Sequence, residues 1–330
     1  MTEALNHSPL KGLKRLATIS LAVITVVLLP GVFSRRPQTA FAQESKTLAE
    51  RLGYAADAKL LIVHADDLAV AHSVDAASTK ALETGSVSSA SIMVPCPWLT
   101  EIAVYAQAHP QADLGLHLTL TSEWALYRWG PVAPREQVLS LLGRDGYLYP
   151  TESVAARSIS PREAEIEVRA QIERARAFGI NPTHLDSHMG TLFQTKELFD
   201  ILLRAGRDYK LPVLVSQDLA RGGRFTGSLG PNDLMIDSVI TITPTVTAEH
   251  WAEFYINAIK NLKPGITELI IHLAYDDEEM RAVTFNHPDW GAAWRQRDFD
   301  FFTSEQCRKL LEENHVKLIT WREIGKLLQK

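Results

Sequence analysis

Cysteine is scarce in this sequence: 330 residues carry two, Cys96 and Cys307, far apart and in no metal-binding spacing. That excludes a zinc module built on thiolates and a small fold stapled by disulfides. An oxidising compartment would permit the pair to join, but Cys96, in "MVPCPW", reads as a small buried apolar residue. Basic charge is also short. The formal net charge is −5, from 34 basic and 39 acidic residues; residues 1–42 hold five of the basic ones and one acid, so the rest sets 29 basic against 38 acidic. Such a surface has no electrostatic reason to bind nucleic acid. From about residue 58 onward no Pro-, Gly- or Ser-rich tract resembles a linker, so the interior reads as one domain rather than two. With 46% hydrophobic and 22% charged residues, the chain has an ordinary globular composition and enough length to bury a large core.

One long apolar run is present, "LATISLAVITVVLLPGVF" from Leu16 to Phe33, preceded by Lys11, Lys14 and Arg15 and followed by "RRPQTAFAQES". A basic region, an apolar stretch and a small-x-small site at Ala40-Phe41-Ala42 make the pattern of a signal peptide cleaved before Gln43. The same 18 residues also suit an uncleaved anchor, although Arg35 and Arg36 weaken the positive-inside contrast. The expected organisation is a signal peptide or membrane anchor over 1–42, a lead-in over 43–57 and a catalytic domain over 58–330. The expected location is periplasmic or extracellular, with membrane association through 16–33 if the segment is retained.

Beyond residue 58, short β-rich runs alternate with longer helical patterns. Strands are predicted at "KLLIVHA" (59–65), "SVSSASIMV" (86–94), "DLGLHLTL" (113–120), "PTHLDSH" (182–188), "LPVLVS" (211–216), "ITELIIHLA" (266–274) and "VKLIT" (316–320). Between them lie "VDAASTKALETG", stopped by Gly85, "PREAEIEVRAQIERARAFG", with Pro161 in its first turn and Gly179 at its end, and "TKELFDILLRAGRDY". This alternation predicts an α/β fold: one distorted, TIM-like β/α barrel of about seven parallel strands. Two irregular stretches, about 121–160 and 217–246, follow strands and therefore fall on the face where such barrels place their sites.

Ionisable residues gather at the strand ends. Asp66 and Asp67 end the first strand, His117 lies near the end of the third, His184, Asp186 and His188 end the fourth, and His272 lies near the end of the sixth. Singly, each has a plain reading: an Asp after a strand often caps a helix or forms a turn, and a lone His is often structural. In "HLDSH", however, a strand's period of two puts three ionisable side chains on one face, where burial is costly unless a metal or mutual hydrogen bonds compensate. A carboxylate with two imidazoles suits a catalytic divalent metal. Of two adjacent acids, one can bind the cation while the other accepts a proton.

"LIVHADDLAVAHSVDAASTKALETGSVSSASIMV", "LGLHLTL", "NPTHLDSHMG" and "ELIIHLAYDD" resemble, in order and approximate spacing, the YdjC-like carbohydrate deacetylases. That family includes chitooligosaccharide and hopanoid-associated deacetylases and is similar in fold to the polysaccharide deacetylases. The resemblance covers roughly residues 58–326. It implies one divalent metal, zinc or magnesium, held by Asp67, His117 and His188. It further implies Asp66 as general base, His272 as the group that protonates the leaving amine, and His184 and Asp186 as residues orienting the imidazoles. The reaction implied is hydrolysis of the acetamide of an N-acetylated sugar or glycan. Three departures stand out: Leu68-Ala69 where the family usually has Phe-Gly, "HMGTLF" where many members carry further histidines, and His272-Leu273 in place of His-Pro. Two rival readings stay open, a metallohydrolase of another ester or phosphoester and an inactive glycan-binding homologue. Trp98, Trp124, Tyr127, Trp129, Trp290 and Trp294 lie in or near post-strand segments, where sugars stack on such rings, although packing suits most of them. "FNHPDWGAAW" (285–294) is the candidate lid.

Overall fold

The structure is a computed structural model and describes residues 46–329 apart from 85, 224 and 226. The expected leader over 1–42 and the stop at Gly85 lie outside the described residues. Among the described residues no helix is long and apolar enough to cross a membrane.

Among the described residues seven strands form the sheet: β1 (Lys59–Leu68), β2 (Ser89–Ile92), β3 (Leu114–Leu118), β4 (Leu185–Ser187), β5 (Ser238–Thr241), β6 (Gly265–His272) and β7 (Val316–Leu318). Every pairing is parallel, in the order β4-β3-β2-β1-β6-β5, and β7 lies against Lys59–Leu61 of β1. Between β4 and β5 the ladder thins to single bridges, Leu185 to Val213 and Ser216 to Ile236. The predicted strand over 211–216 is therefore two bridges, and β5 arises inside the stretch expected to be irregular. The result is the distorted β/α barrel of seven parallel strands.

β1 reads as a continuous apolar run because both of its faces are covered, as in any parallel sheet wrapped by helices. Leu61, Val63 and Ala65 pack in the large outer core. Leu60 and Ile62 join Ile266, Ile319 and Trp321 in a smaller cluster inside the barrel. The inward positions then change character with height. Above the apolar layer come His64, His184 and Glu268, all fully buried, and above these Asp66, His117, Asp186 and His272. Gly115 makes room in the middle layer, since a Cβ there would overlap the His184 imidazole.

Helices cover the sheet as expected. His72–Thr84 follows β1, Pro161–Ala177 begins with its proline at the first turn, and Lys196–Tyr209 is capped by the Thr195 hydroxyl accepting from the Leu198 amide. "HLDSH" is not one strand. Only Leu185–Ser187 is extended, and His188 opens a 3-10 segment, His188–Phe193, in which Met189 and Gly190 take positive φ.

Candidate metal centre

Adjacent residues in a strand point to opposite faces, so Asp66 and Asp67 reach one rim only if the backbone departs from the pleat. It does. The β1–β2 register slips between Ala65 and Leu68, and Asp67 sits at φ 72°; a bulge of this kind re-aims a side chain. Asp66 stays on the inward face beside His272, its partner in the β1–β6 ladder, while Asp67 swings to the same rim.

Three atoms converge there. Asp67 Oδ1 lies 3.4 Å from His117 Nε2 and 3.4 Å from His188 Nδ1. Asp67 Oδ1 is buried without a hydrogen-bond partner, and one ligand atom from each of the three residues fits within a 4.8 Å span. A buried carboxylate oxygen that faces two imidazole nitrogens and satisfies neither lone pair suits a divalent cation. Two other groupings, Asp66 with His117 and Asp186, and His64 with His184 and Asp186, also fit within that 4.8 Å span, but both share Asp186, whose oxygens are engaged. Oδ1 holds His117 Nδ1 at 2.7 Å and Oδ2 holds His64 Nε2 at 3.1 Å.

The surrounding charges are arranged around this trio. Burial alone would raise the Asp67 carboxyl, but Arg295, whose Nη2 donates to Oδ2 at 2.6 Å, together with His188 holds it well below the usual carboxylate range. Burial opposes a proton on His188 too, yet Glu123 and Asp67 outweigh it and push the imidazole up to about 10; Glu123 Oε2 accepts from His188 Nε2 at 3.0 Å. His272 goes the other way. Its Nε2 is 3.8 Å from Asp66 Oδ2, its Nδ1 is buried and unpartnered, and burial takes it down to about 4. Asp298 steadies the end of β6 by accepting from the His272 amide at 3.0 Å.

The predicted residues thus assemble, with one exception. His184, expected to orient an imidazole, makes no hydrogen bond to His117 or His188; it lies a layer lower, stacked on Trp321, with Nδ1 3.0 Å from Thr183 Oγ1 and Nε2 3.9 Å from Asp186. Sequence reasoning missed His64, Glu123, Arg295 and Asp298. His64 was recoverable, because it precedes Asp66 by two and shares its inward face. The others come from segments with no local pattern that marks them.

A cavity of about 610 Å³ opens over the trio. Its walls include Trp124 and Trp290, and also His287 from the predicted lid; apolar residues such as Phe193, Leu214 and Ile270 line the side toward the thin part of the barrel. Trp129 and Trp294 are buried packing residues instead, as are Cys96 and Cys307, both free thiols.

The sequence profile of the YdjC-like protein family matches residues 60–313. The chain belongs to that family. Among similar proteins, a carbohydrate deacetylase of Thermus thermophilus is 32% identical over 288 residues, covering 85% of this chain and 99% of the relative. One of Thermoanaerobacter pseudethanolicus is 24% identical, covering 80% and 98%. A crystal structure from Enterococcus faecalis, described provisionally as a cellobiose-phosphate cleavage protein, superposes with a TM-score of 0.67 at 24% identity, covering 80% of this chain and 98% of that one. At that identity the likeness speaks for the fold.

Proposed function

We propose that this YdjC-like chain is a metal-dependent hydrolase that removes the acetyl group from an N-acetylated sugar or glycan. The observation that carries the reading is the buried, unpartnered Asp67 Oδ1 facing His117 Nε2 and His188 Nδ1 beneath a cavity of sugar size. The relatives named carbohydrate deacetylases support the substrate class. Asp67, His117 and His188 would hold the divalent ion, zinc or magnesium. When bound, such an ion polarises the acetyl carbonyl and lowers the pKa of water.

The chain's own residues account for the proton movements. Asp66 stands at the rim, 3.8 Å by Oδ2 from both His117 Nε2 and His272 Nε2, and is placed to accept the proton of the attacking water. His272 is neutral at rest because burial disfavours its cation. It can therefore take a proton on Nε2 only as the reaction supplies one, and then deliver it to the leaving amine. Asp186 fixes His117 through Nδ1, so that Nε2 faces the centre.

The cavity disfavours a phosphoester. Asp66, Asp67, Glu123 and Glu152 line it, and its arginine, Arg295, is spent on Asp67. The leader-like order of residues 11–42 supports an envelope or extracellular glycan as substrate. The test is acetate release from N-acetylated oligosaccharides together with metal content. Wild type should carry about one divalent ion per chain, Asp67→Ala should lose it, and Asp66→Asn should keep it while turnover falls by about 10²-fold or more. Equal inactivity of wild type and Asp66→Asn, with glycan binding retained, would identify a binding homologue instead.

A further inference from the structure

Between β3 and the helix Pro161–Ala177 the chain makes a long excursion that is cross-braced where it leaves the barrel. The Ser122 amide donates to the Tyr149 carbonyl at 2.8 Å, and Trp129 Nε1 donates to the Thr121 carbonyl at 2.8 Å. Arg128 Nε and the Trp129 amide both donate to Ser122 Oγ at 3.1 Å, and Arg128 Nη2 reaches the Leu148 carbonyl at 2.7 Å. Further along, buried Glu167 of the helix accepts from the Val132 and Ala133 amides at 2.9 Å. These bonds hold the backbone on both sides of Glu123 and Trp124.

Of the two braced residues, one touches a member of the trio and the other lies beside the group that backs Asp67. Glu123 Oε2 holds His188 Nε2 at 3.0 Å, and the guanidinium of Arg295, which holds Asp67, lies 5.7 Å from the centre of the Trp124 ring. A neutral imidazole offers a lone pair on one nitrogen only, and a carboxylate at the other nitrogen requires the N–H to be there. His117 shows the same logic with the nitrogens exchanged: Nδ1 faces Asp186, leaving Nε2 for the centre.

We propose that Glu123 is a positioning residue of the metal centre: by accepting from His188 Nε2 it selects the form of the ring that turns the Nδ1 lone pair toward Asp67 and His117. The excursion is then more than a groove wall. Glu123 also lines the cavity, so the segment that meets substrate is the one that sets the geometry of a ligand. This rests on the reading above only in that the trio takes a divalent ion.

The experiment uses the full chain, with zinc as the probe. Zinc affinity is measured by competition with a chromogenic chelator, and the His188 nitrogen that coordinates zinc is identified from imidazole ¹⁵N shifts. Glu123→Ala should weaken zinc binding by about 10–100-fold and lose the uniform Nδ1 coordination. Glu123→Gln, whose amide oxygen still accepts, should stay within about threefold of wild type and keep it, which separates positioning from loss of fold. Wild type that takes up no zinc defeats the reading of the centre. Wild type that loads zinc, with Glu123→Ala equal to it in both readouts, defeats the role of Glu123 alone.

Discussion

If His188 holds the ion proposed above, proton and metal compete for the same nitrogen, and the structure sets the range over which that competition is felt. Burial disfavours the imidazolium, but Glu123 and Asp67 outweigh it and bring the group to about 10 in the metal-free site. Below that pH, uptake of an ion must release a proton, and the apparent affinity falls tenfold for each unit of pH. From pH 8.5 to 6.5, His188 alone predicts a loss of about 100-fold, equivalent to about 2.7 kcal/mol. His117, raised by Asp66 and Asp186 against its burial, steepens the dependence toward two protons. The stability of the metal-free protein moves oppositely. A histidine whose folded pKa exceeds its unfolded value contributes fully below about 6.5, and that contribution is lost as pH rises through about 10. Glu268, pushed up to about 8 by burial, acts in the same direction. Metal-free protein should therefore melt lower at pH 8.5 than at 6.5, while the gap between metal-free and metal-loaded protein widens. Chelator competition at three pH values and constant ionic strength measures the slope of log affinity against pH. A slope below about one half would refute the assignment of His188 as a ligand that must first shed a proton.

Two further outcomes test the supports of the site. Asp298 accepts three bonds, from Trp251 Nε1 at 2.8 Å, the Tyr255 hydroxyl at 2.6 Å and the His272 amide at 3.0 Å. Asp298→Asn turns an amide donor against one of these donors and should destabilise by about 1–3 kcal/mol in denaturant titration, with catalysis reduced more than zinc affinity. Ala69→Gly removes the side chain at a backbone of φ 73°. Relief of about 1 kcal/mol of left-handed strain is offset by a more flexible unfolded chain, about 0.4–1 kcal/mol, and by the loss of a fully buried methyl, about 0.8 kcal/mol. The sum is a loss of about 0.2–0.8 kcal/mol, and a gain above about 0.6 kcal/mol would show that the left-handed strain at Ala69 exceeds about 1 kcal/mol.

The parts of the fold legible in the sequence are those whose burial is two-sided. β1 and β6 are buried along most of their length and advertise themselves as apolar runs. β5 is half-exposed beside the cavity and lies between polar and Gly-rich residues, so its short "SVIT" carries little signal. The predicted strand over 211–216 fails for a related reason: where the ladder thins, the segment makes single bridges to Leu185 and Ile236. The strand-end acids and histidines were legible because they recur at equivalent heights on several strands. Arg295 and Asp298 were not, since Arg295 meets Asp67 across 228 positions and nothing local distinguishes it from the other charged residues of its helix.

The inward layering explains why a buried strand can end on two carboxylates. Below them the barrel is apolar, and the middle layer already pairs acids with histidines, His64 standing between Asp66 and Asp186 at 3.1 Å from each. At the rim, Asp66, Asp67, Asp186 and Glu123 gather against Arg295 and the histidines. Pairing uses up Asp186 on two rings, Glu123 on His188 and one oxygen of Asp67 on Arg295. What remains is Asp67 Oδ1, turned by the bulge toward two imidazole nitrogens rather than toward a donor. An isolated buried carboxylate oxygen is costly, and a strand that merely needed a helix cap would not require the positive φ at Asp67 that brings it there. The deformation and the missing partner are two marks of one arrangement, to which the divalent cation proposed above would add what the protein's own donors leave unfinished.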